Sequence, residues 1–250
     1  MEEALRRLPG MKPLEPSDWL RVDDAFAGQM ARRDALLIEC PEAVLQLDAA
    51  ARPAADELLK AILTDLRGRA DYQFDGARVK RPDSVEISLS GDPLFVIGRL
   101  CQADFCILEK RGAEHVLTGA VLCFPASWTL SEKFMRPLTA IHDPVPEYSE
   151  DIARRVQRLF DAVRVGRPMW RANALFYSDP ELHQPRRMSD RRVKPRGAAP
   201  YIRSERQSIL RLPKTEAVIF SIHTYVLAQE DLSPAQTKAL DESPLIHAGR

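Results

Sequence analysis

The sequence lacks the cysteine clusters and the long apolar runs that identify several protein classes. Its four cysteines, Cys40, Cys101, Cys106 and Cys123, form no CxxC pair and no zinc-type cluster with histidine. They favour a reduced setting over a disulfide-stabilised one. No apolar stretch is long enough to cross a membrane, and the charged start MEEALRRLPG has no apolar signal-peptide core. We therefore expect a cytoplasmic protein without a membrane partner.

An excess of charge of either sign is also missing. The chain has 36 basic and 36 acidic residues, so its formal net charge is zero. Proteins that bind nucleic acids through bulk electrostatic attraction carry a positive charge, and this balance argues against a nucleic-acid partner. The phosphate-binding motifs G-x-x-x-x-G-K-[ST] and G-x-G-x-x-G are absent, as are G-x-S-x-G and H-E-x-x-H.

The histidines show no metal-ligand spacing. No two of the five lie four residues apart, as a helical pair of metal ligands would. A metal held by several protein side chains is therefore weakly supported. A single axial histidine on a metal whose other ligands come from a macrocycle needs no spacing motif, so the sequence is compatible with heme as well as with a plain core.

The first two thirds of the 250 residues predict helices around one hairpin. Apolar residues of Leu58–Leu66 recur with helical spacing. Two strand-like runs, Asp104–Lys110 and His115–Phe124, flank the turn sequence Arg111–Glu114. Apolar residues on one face of Glu147–Val163 predict an amphipathic helix.

Three further strands are predicted over Ala172–Ser178, Tyr201–Leu212 and Ala217–Leu227. Five antiparallel strands with helices inserted between the second and the third predict an α+β fold, with helices on one face of the sheet. We divide the chain into an N-terminal helical extension (1–92), a body (93–230) and a C-terminal tail (231–250).

The segment Gly119–Pro146 contains a histidine in a stiffened context. Pro144 and Pro146 follow His142 closely, and proline restricts both itself and the preceding residue. His142 is thus a candidate ligand or acid/base. A histidine hydrogen-bonded at a strand-to-helix junction explains the same pattern, and the segment taken alone favours this structural interpretation.

Charged residues alternate along the strand predicted over Tyr201–Leu212. Glu205, Gln207 and Arg211 point to one side and Arg206 to the other. Such side chains are costly to bury without partners. The pattern therefore indicates either a hydrated face or a polar pocket.

Three blocks of the sequence resemble one family. The run FPASWTLSEKF…LTAIHDPVP within Phe124–Pro146 resembles its signature F-P-S-x-W-x-L-x-E-K…I-H-x-P-V-P. Cys101–Lys110 is similar to its V-Q-E-D-x-x-L-L strand, and Arg203–Tyr225 to its R-x-E-R-Q-T-L-x-R-L-P block. The family is that of the heme-dependent oxidative N-demethylase alpha subunit, and the blocks occur in its order along nearly the whole chain.

The resemblance implies a PAS-like fold with heme b between the sheet and a helix. It also implies an oxidoreductase that oxidises a small secondary amine, such as dimethylamine, with O2. The electrons are expected from a reductase partner whose subunits carry FMN and a 2Fe-2S cluster. The amine carbon leaves as formaldehyde.

By motif position, the resemblance assigns roles to five residues. His142 is the expected axial iron ligand, and His183 is the second candidate for that role. Glu205 is the expected catalytic acid, since a carboxylate near the iron binds an ammonium group and relays its proton. Arg203 or Arg206 is expected to pair with a heme propionate.

The sequence departs from the family pattern at three positions. Ala103 replaces a glutamate, Ala174 replaces a tryptophan, and His223 replaces an arginine. His223 is thereby a candidate second axial ligand, which would block oxygen chemistry. These departures leave an alternative open: a heme-binding sensor or carrier without turnover. A cofactor-free domain with the same fold is a third hypothesis.

Overall fold

A computed structural model of the chain describes residues 10–142, 150–190, 199–242 and 246–247. Within these ranges only the backbone is described at 142, 150–153 and 246–247. Among the described residues, no helix is both long and apolar enough to cross a membrane.

The N-terminal part is mainly helical. A proline in the first turn favours the start of the third helix, because proline there loses no intrahelical hydrogen bond. Leu58, Ile62 and Leu66 lie on its buried face, which confirms the predicted apolar stripe. The elements are β1 (Lys12–Pro13), α1 (Phe26–Glu39), α2 (Pro41–Val44), β2 (Leu45–Leu47) and α3 (Arg52–Arg67).

A small three-stranded antiparallel sheet and a buried helix follow. The strands are β3 (Gln73–Asp75), β4 (Arg78–Lys80) and β5 (Glu86–Ser88), and the helix is α4 (Pro93–Leu100). The carboxylate of Asp92 caps α4 by accepting hydrogen bonds from the backbone N–H groups of Leu94 and Phe95, at 2.9 and 3.1 Å.

The predicted hairpin is present as β6 (Asp104–Arg111) and β7 (Glu114–Val121). Gly112, in the turn, has φ of 66°, a conformation that favours glycine. The pairing register shifts beside Gly119, where a Cβ atom would lie 2.9 Å from the Leu47 side chain. Close packing and the bulge together explain this glycine within a strand.

Three helices connect the hairpin to the last strands. The predicted Glu147–Val163 helix is found as Glu150–Ala162, and residues 147–149 lie outside the described residues. The remaining elements are α5 (Leu130–Lys133), α6 (Leu138–His142), α7 (Glu150–Ala162), β8 (Met169–Tyr177), β9 (Tyr201–Arg211), β10 (Val218–Ala228), α8 (Pro234–Glu242) and β11 (Ile246–His247).

The main sheet has the order β1-β8-β9-β10-β6-β7-β2, with every neighbouring pair antiparallel, and β11 pairs with β8 in parallel. The α+β class is confirmed, and the five predicted strands are β6 to β10. The predicted count of five was wrong for the sheet as a whole. The added strands span only two or three residues, too few to show an alternating pattern.

Helices cover both faces of this sheet rather than the one face predicted. One apolar cluster joins α1, α3 and α4 to Phe105, Ile107 and Ile219. The other joins residues of α5, α6 and α7 to Cys106, Leu108 and Ile222. The division at residue 92 stays a prediction, although β1 and β2 from the proposed extension belong to the main sheet.

Candidate functional site

Strand β9 directs polar side chains to both faces of the sheet. We call one side the Glu205 face; among the polar residues that cross-strand register places on it are Arg171, Asn173, Arg203, Glu205, Gln207 and Thr224. We call the other side the arm face, because the N-terminal arm, residues 14–25, packs on it. Its polar residues include Arg206, Ser208, Ser221 and His223.

Glu205 is held on its face by neighbouring amides. The side-chain nitrogens of Gln207 and Asn173 donate to Oε2 of Glu205 at 3.0 and 3.3 Å. Oε1 lies 3.8 Å from Nε of Arg203, and the carboxylate side chain is 12% exposed. The carboxylate is thus positioned by hydrogen bonds but is still reachable, which suits a group that binds a cation or moves a proton.

Arg203 connects Glu205 to two backbone segments. Its side chain is buried, and Nη1 and Nη2 donate to the carbonyls of Leu182 and Phe124 at 2.9 and 2.7 Å. The guanidinium also lies over the ring of Tyr177, with 5.7 Å from Cζ to the centroid. Because both terminal nitrogens donate hydrogen bonds to carbonyls, Arg203 holds the two segments together.

His183 follows Leu182 in the first of these segments, and one of its ring nitrogens bonds to the second segment. Nδ1 is 2.8 Å from the carbonyl oxygen of Cys123. A carbonyl only accepts, so Nδ1 carries the proton and Nε2 of the neutral ring bears the lone pair. No hydrogen bond reaches Nε2 from the described residues. A metal-binding histidine characteristically donates its second N–H to such an acceptor, which fixes the tautomer and orients the ring.

The carbonyl that anchors His183 is itself fixed by a buried ion pair. The carboxylate of Asp104 accepts from the backbone N–H groups of Cys123 and Phe124 at 2.8 and 2.9 Å. It also accepts from Nη1 of the fully buried Arg33 at 2.6 Å. Burial raises the pKa of the Cys123 thiol to about 12, so this cysteine is a packing residue and not a nucleophile.

Arg171 is a candidate that the sequence reasoning missed. Its Nε is buried without a hydrogen-bond partner, and the guanidinium forms no ion pair within the part of the chain that the structure describes. Burial lowers the pKa of Arg171, and the charge of Glu205 opposes this shift only in part. The one available signal was the family resemblance, in which Arg171–Ala174 corresponds to an R-x-N-W run with Ala174 in place of the tryptophan.

Arg206 and His223 lie on the arm face, away from Glu205. Nη2 of Arg206 donates to Asp18 at 2.7 Å, and its guanidinium lies over the ring of Trp170. Nε2 of the buried His223 is 2.8 Å from Oδ2 of Asp23. The structure therefore does not bring these two predicted cofactor residues together with Glu205 and His183, and their cofactor roles stay predictions.

His142 ends α6 at the edge of the described residues. The helix packs through Leu138 and Ile141 into the apolar cluster on the Glu205 side of the sheet. Nζ of the buried Lys133 donates to the carbonyl of Ile141, which holds the backbone next to His142. The His142 side chain itself lies outside the described atoms.

The fold and this group of residues define an α+β protein in which Arg203 joins the backbone next to His183 to the carboxylate of Glu205. Within the described residues, no group of three or more His, Cys, Asp or Glu side chains is arranged to hold a metal ion. Residues 10–242 match the family model described as haem-dependent oxidative N-demethylase, alpha subunit-like. Since the match covers most of the 250 residues, the chain belongs to this family.

The residues present fit the heme that the family name implies. A histidine with an anchored Nδ1 and an Nε2 that no described residue engages has the arrangement that a single axial iron position takes. The unpaired guanidinium of Arg171 on the Glu205 face suits a carboxylate, which heme carries on its propionates. Heme thus has candidate contacts in this chain without a cluster of protein ligands.

Proposed function

We propose that this chain is the heme-binding, catalytic subunit of an oxidative N-demethylase that acts on a small secondary amine. The observation that carries the proposal is the link between His183 and Glu205 through the buried Arg203. This link supports an iron ligand and an acid/base group held in one rigid unit. Strands β6 to β10, with the helices between β7 and β8, are the proposed PAS-like body.

We assign the axial position to His183 because its tautomer is fixed with Nε2 free. The resemblance favours His142, and the experiment below separates the two. In either case heme b is expected on the Glu205 side of the sheet, where α6 also packs.

Glu205 is the proposed acid/base and amine-binding group. Secondary amines are cationic near neutral pH, and a carboxylate with 12% exposure attracts such a cation through a charge-assisted hydrogen bond. Bound there, the amine transfers its N–H proton to Glu205, which frees the nitrogen lone pair for the reaction. The amides of Asn173 and Gln207 hold the carboxylate in place while its protonation changes.

Heme, when bound, supplies the activation of O2 and the oxidation of the N-methyl carbon. The overall reaction consumes the secondary amine, O2, two electrons and two protons. It releases the primary amine, formaldehyde and water, so atoms and electrons balance.

The two electrons are proposed to come from a partner reductase that carries FMN and a 2Fe-2S cluster. The cysteines support placing the cluster on another chain, since Cys101, Cys106 and Cys123 are buried. Burial raises their thiol pKa values, whereas a cluster requires thiolates. The cytoplasmic location expected from the sequence accords with such a partner.

The absorption spectrum of the protein, expressed with added heme precursor, tests the proposal. We expect a Soret band. His183→Gly should lose or shift this band, and added imidazole should restore it by occupying the vacated position. His142→Gly is the matched control and should leave the band unchanged.

Three results contradict parts of the proposal in different ways. If His142→Gly instead shows the imidazole-rescued loss, the ligand is His142 and the assignment to His183 is wrong. Absence of a Soret band in the unmodified protein rejects heme binding. A heme-loaded, reduced protein that releases no formaldehyde from dimethylamine above a free-heme control supports the sensor or carrier alternative.

A further inference from the structure

Arg171 carries a charge that the described part of the chain leaves uncompensated. It lies on β8, one of the three strands that form the Glu205 face, opposite Gln207 in the register. Its Nε is buried and unpartnered. Arg171 as a whole is half-buried and has no ion pair among the described residues, whereas the fully buried Arg33 pairs with Asp104. A half-buried guanidinium without an ion pair is able to receive an anionic group from a ligand.

The nearest carboxylate on this face does not close onto Arg171. Glu205 interacts electrostatically with Arg171, yet the two form no ion pair within 4.0 Å. Instead the Glu205 carboxylate is turned to the amides of Asn173 and Gln207. Two opposite charges are thus held apart on one face, which leaves the guanidinium available to a ligand.

Two further polar atoms on the Glu205 side of the sheet also lack a hydrogen-bond partner among the described residues. The hydroxyl of Thr224, whose residue is 1% exposed, forms no hydrogen bond, and Thr224 is directly opposite Glu205 in the register. Nε of Arg203, 2% exposed, forms no hydrogen bond either, although it lies 3.8 Å from Oε1 of Glu205. Orphaned buried groups are rare in native proteins and call for an explanation. Their position around Glu205 indicates a polar ligand.

We propose that Arg171 binds a carboxylate group presented to the Glu205 face. The planar guanidinium has the donor geometry that carboxylates match. The carboxylate has one of two sources: a propionate of heme, or the carboxylate of an amino-acid-type secondary amine whose ammonium group binds Glu205. Both sources rest on the function proposed above. The second source would narrow the substrate class of that function to zwitterionic N-methyl amines.

The first arm of the test measures heme affinity. Wild-type protein and Arg171→Gln are titrated with heme and with heme dimethyl ester, in which both propionates are blocked. If a propionate is the ligand, Arg171→Gln weakens heme binding at least tenfold and leaves the affinity for the ester unchanged. Arg158→Gln, which removes an exposed arginine of α7, is the matched control for the change in charge.

The second arm measures substrate affinity by isothermal titration calorimetry of the heme-loaded protein. If a substrate carboxylate is the ligand, Arg171→Gln leaves heme affinity unchanged and weakens N-methylglycine binding at least tenfold. Dimethylamine, which has no carboxylate, should bind both proteins equally. Equal behaviour of wild type and Arg171→Gln toward heme, its ester and N-methylglycine overturns the proposal.

A third measurement keeps the inference separate from heme binding. Removing a half-buried charge that has no ion pair among the described residues should raise the melting temperature of heme-free Arg171→Gln, or leave it unchanged. A clear fall would show that Arg171 has a structural partner and would reject the carboxylate site. If the wild-type protein takes up no heme, the function proposed above fails. The carboxylate site can still be tested by adding N-methylglycine to the heme-free proteins. Stabilisation of the wild type but not of Arg171→Gln supports the site, and equal behaviour of the two proteins rejects it.

Discussion

The two faces of one sheet differ in how their charged residues are paired. On the arm face, Arg206 pairs with Asp18 and His223 with Asp23. The indole N–H of Trp19 donates to the hydroxyl of Ser221 at 3.1 Å. On the Glu205 face, Nε of Arg171 and the hydroxyl of Thr224 have no hydrogen-bond partner among the described residues, and on the arm face Nδ1 of His223 has none either. Strands β8 to β10 supply residues to both faces, since successive residues of a strand point to opposite faces.

This difference in pairing distinguishes residues that stabilise the fold from residues that are available to bind a ligand. Each arm-face pair closes a contact between segments about 190 to 200 positions apart, so it fastens the N-terminal arm to the sheet. The open groups of the Glu205 face contribute no such contact and cost desolvation energy in the free protein. Polar groups kept at a cost in stability are the ones expected to act on a ligand.

The comparison is tested most strongly by two carboxylate-to-amide changes, one for each face. The larger effect is expected on the Glu205 face. Glu205→Gln should lower the rate of formaldehyde release from the amine about 100-fold or more, the usual effect of removing an acid/base group. Its melting temperature should stay close to that of the wild type, because the amide retains an acceptor for Asn173 and Gln207. Full activity in Glu205→Gln, measured with a competent reductant, would remove Glu205 from the proposed site.

The matched change on the arm face, Asp23→Asn, should affect stability and spare heme binding. Burial opposes the ionisation of Asp23, but hydrogen bonds from His223 and Gln102 outweigh it, so the pKa of Asp23 lies below its ordinary value of 3.8. A depressed pKa stabilises the folded state above the unfolded pKa, and this contribution is lost as the pH falls through the folded value. We expect Asp23→Asn to lower the free energy of unfolding by about 1–2 kcal/mol at neutral pH.

Urea unfolding of both proteins across the pH range checks this prediction. The stability difference between wild type and Asp23→Asn should shrink steadily below the ordinary pKa of 3.8 and disappear once Asp23 is protonated in the folded state. A difference that is constant down to strongly acidic pH would show that the carboxylate charge is not its source. A shifted Soret band in Asp23→Asn would break the division between the faces.

The smallest effects concern the two hydroxyls. Ser221→Ala removes the acceptor of the Trp19 indole and should cost about 1 kcal/mol. Thr224→Val replaces an unpartnered buried hydroxyl with a methyl group of similar size and should be neutral or stabilise the heme-free protein by up to about 1 kcal/mol. Thermal unfolding measures both. A destabilised Thr224→Val would indicate that Thr224 has a partner, and the Glu205 face would be less open than described.

Much of the fold was predictable from local patterns. The five strands β6 to β10 were placed within a few residues of their observed bounds, because their length and side-chain alternation carry a clear signal. The edge strands β1, β2 and β11 could not be predicted, since two or three residues show no periodicity. That helices cover both faces also could not be read from the chain, because it depends on where the N-terminal helices pack.

The candidate site was predictable in part. Family resemblance selected Glu205, His183 and Arg203, which the structure links to one another, and it selected Arg206 and His223, which lie across the sheet. Neighbouring positions in a strand, such as Glu205 and Arg206, necessarily face opposite ways. Sequence proximity therefore grouped residues that the sheet separates, and it missed Arg171, which the register brings to the Glu205 face.

The sequence by itself determined the α+β class, the family and the alternation that divides polar residues of each strand between two faces. Only the tertiary structure decided which charged residues on the two faces are paired and which are not. That decision depends on partners far away in the chain: Asp18 and Asp23 reach Arg206 and His223, whereas no described carboxylate reaches Arg171. Pairing of charges is a property of three-dimensional distance, and local sequence patterns do not encode it.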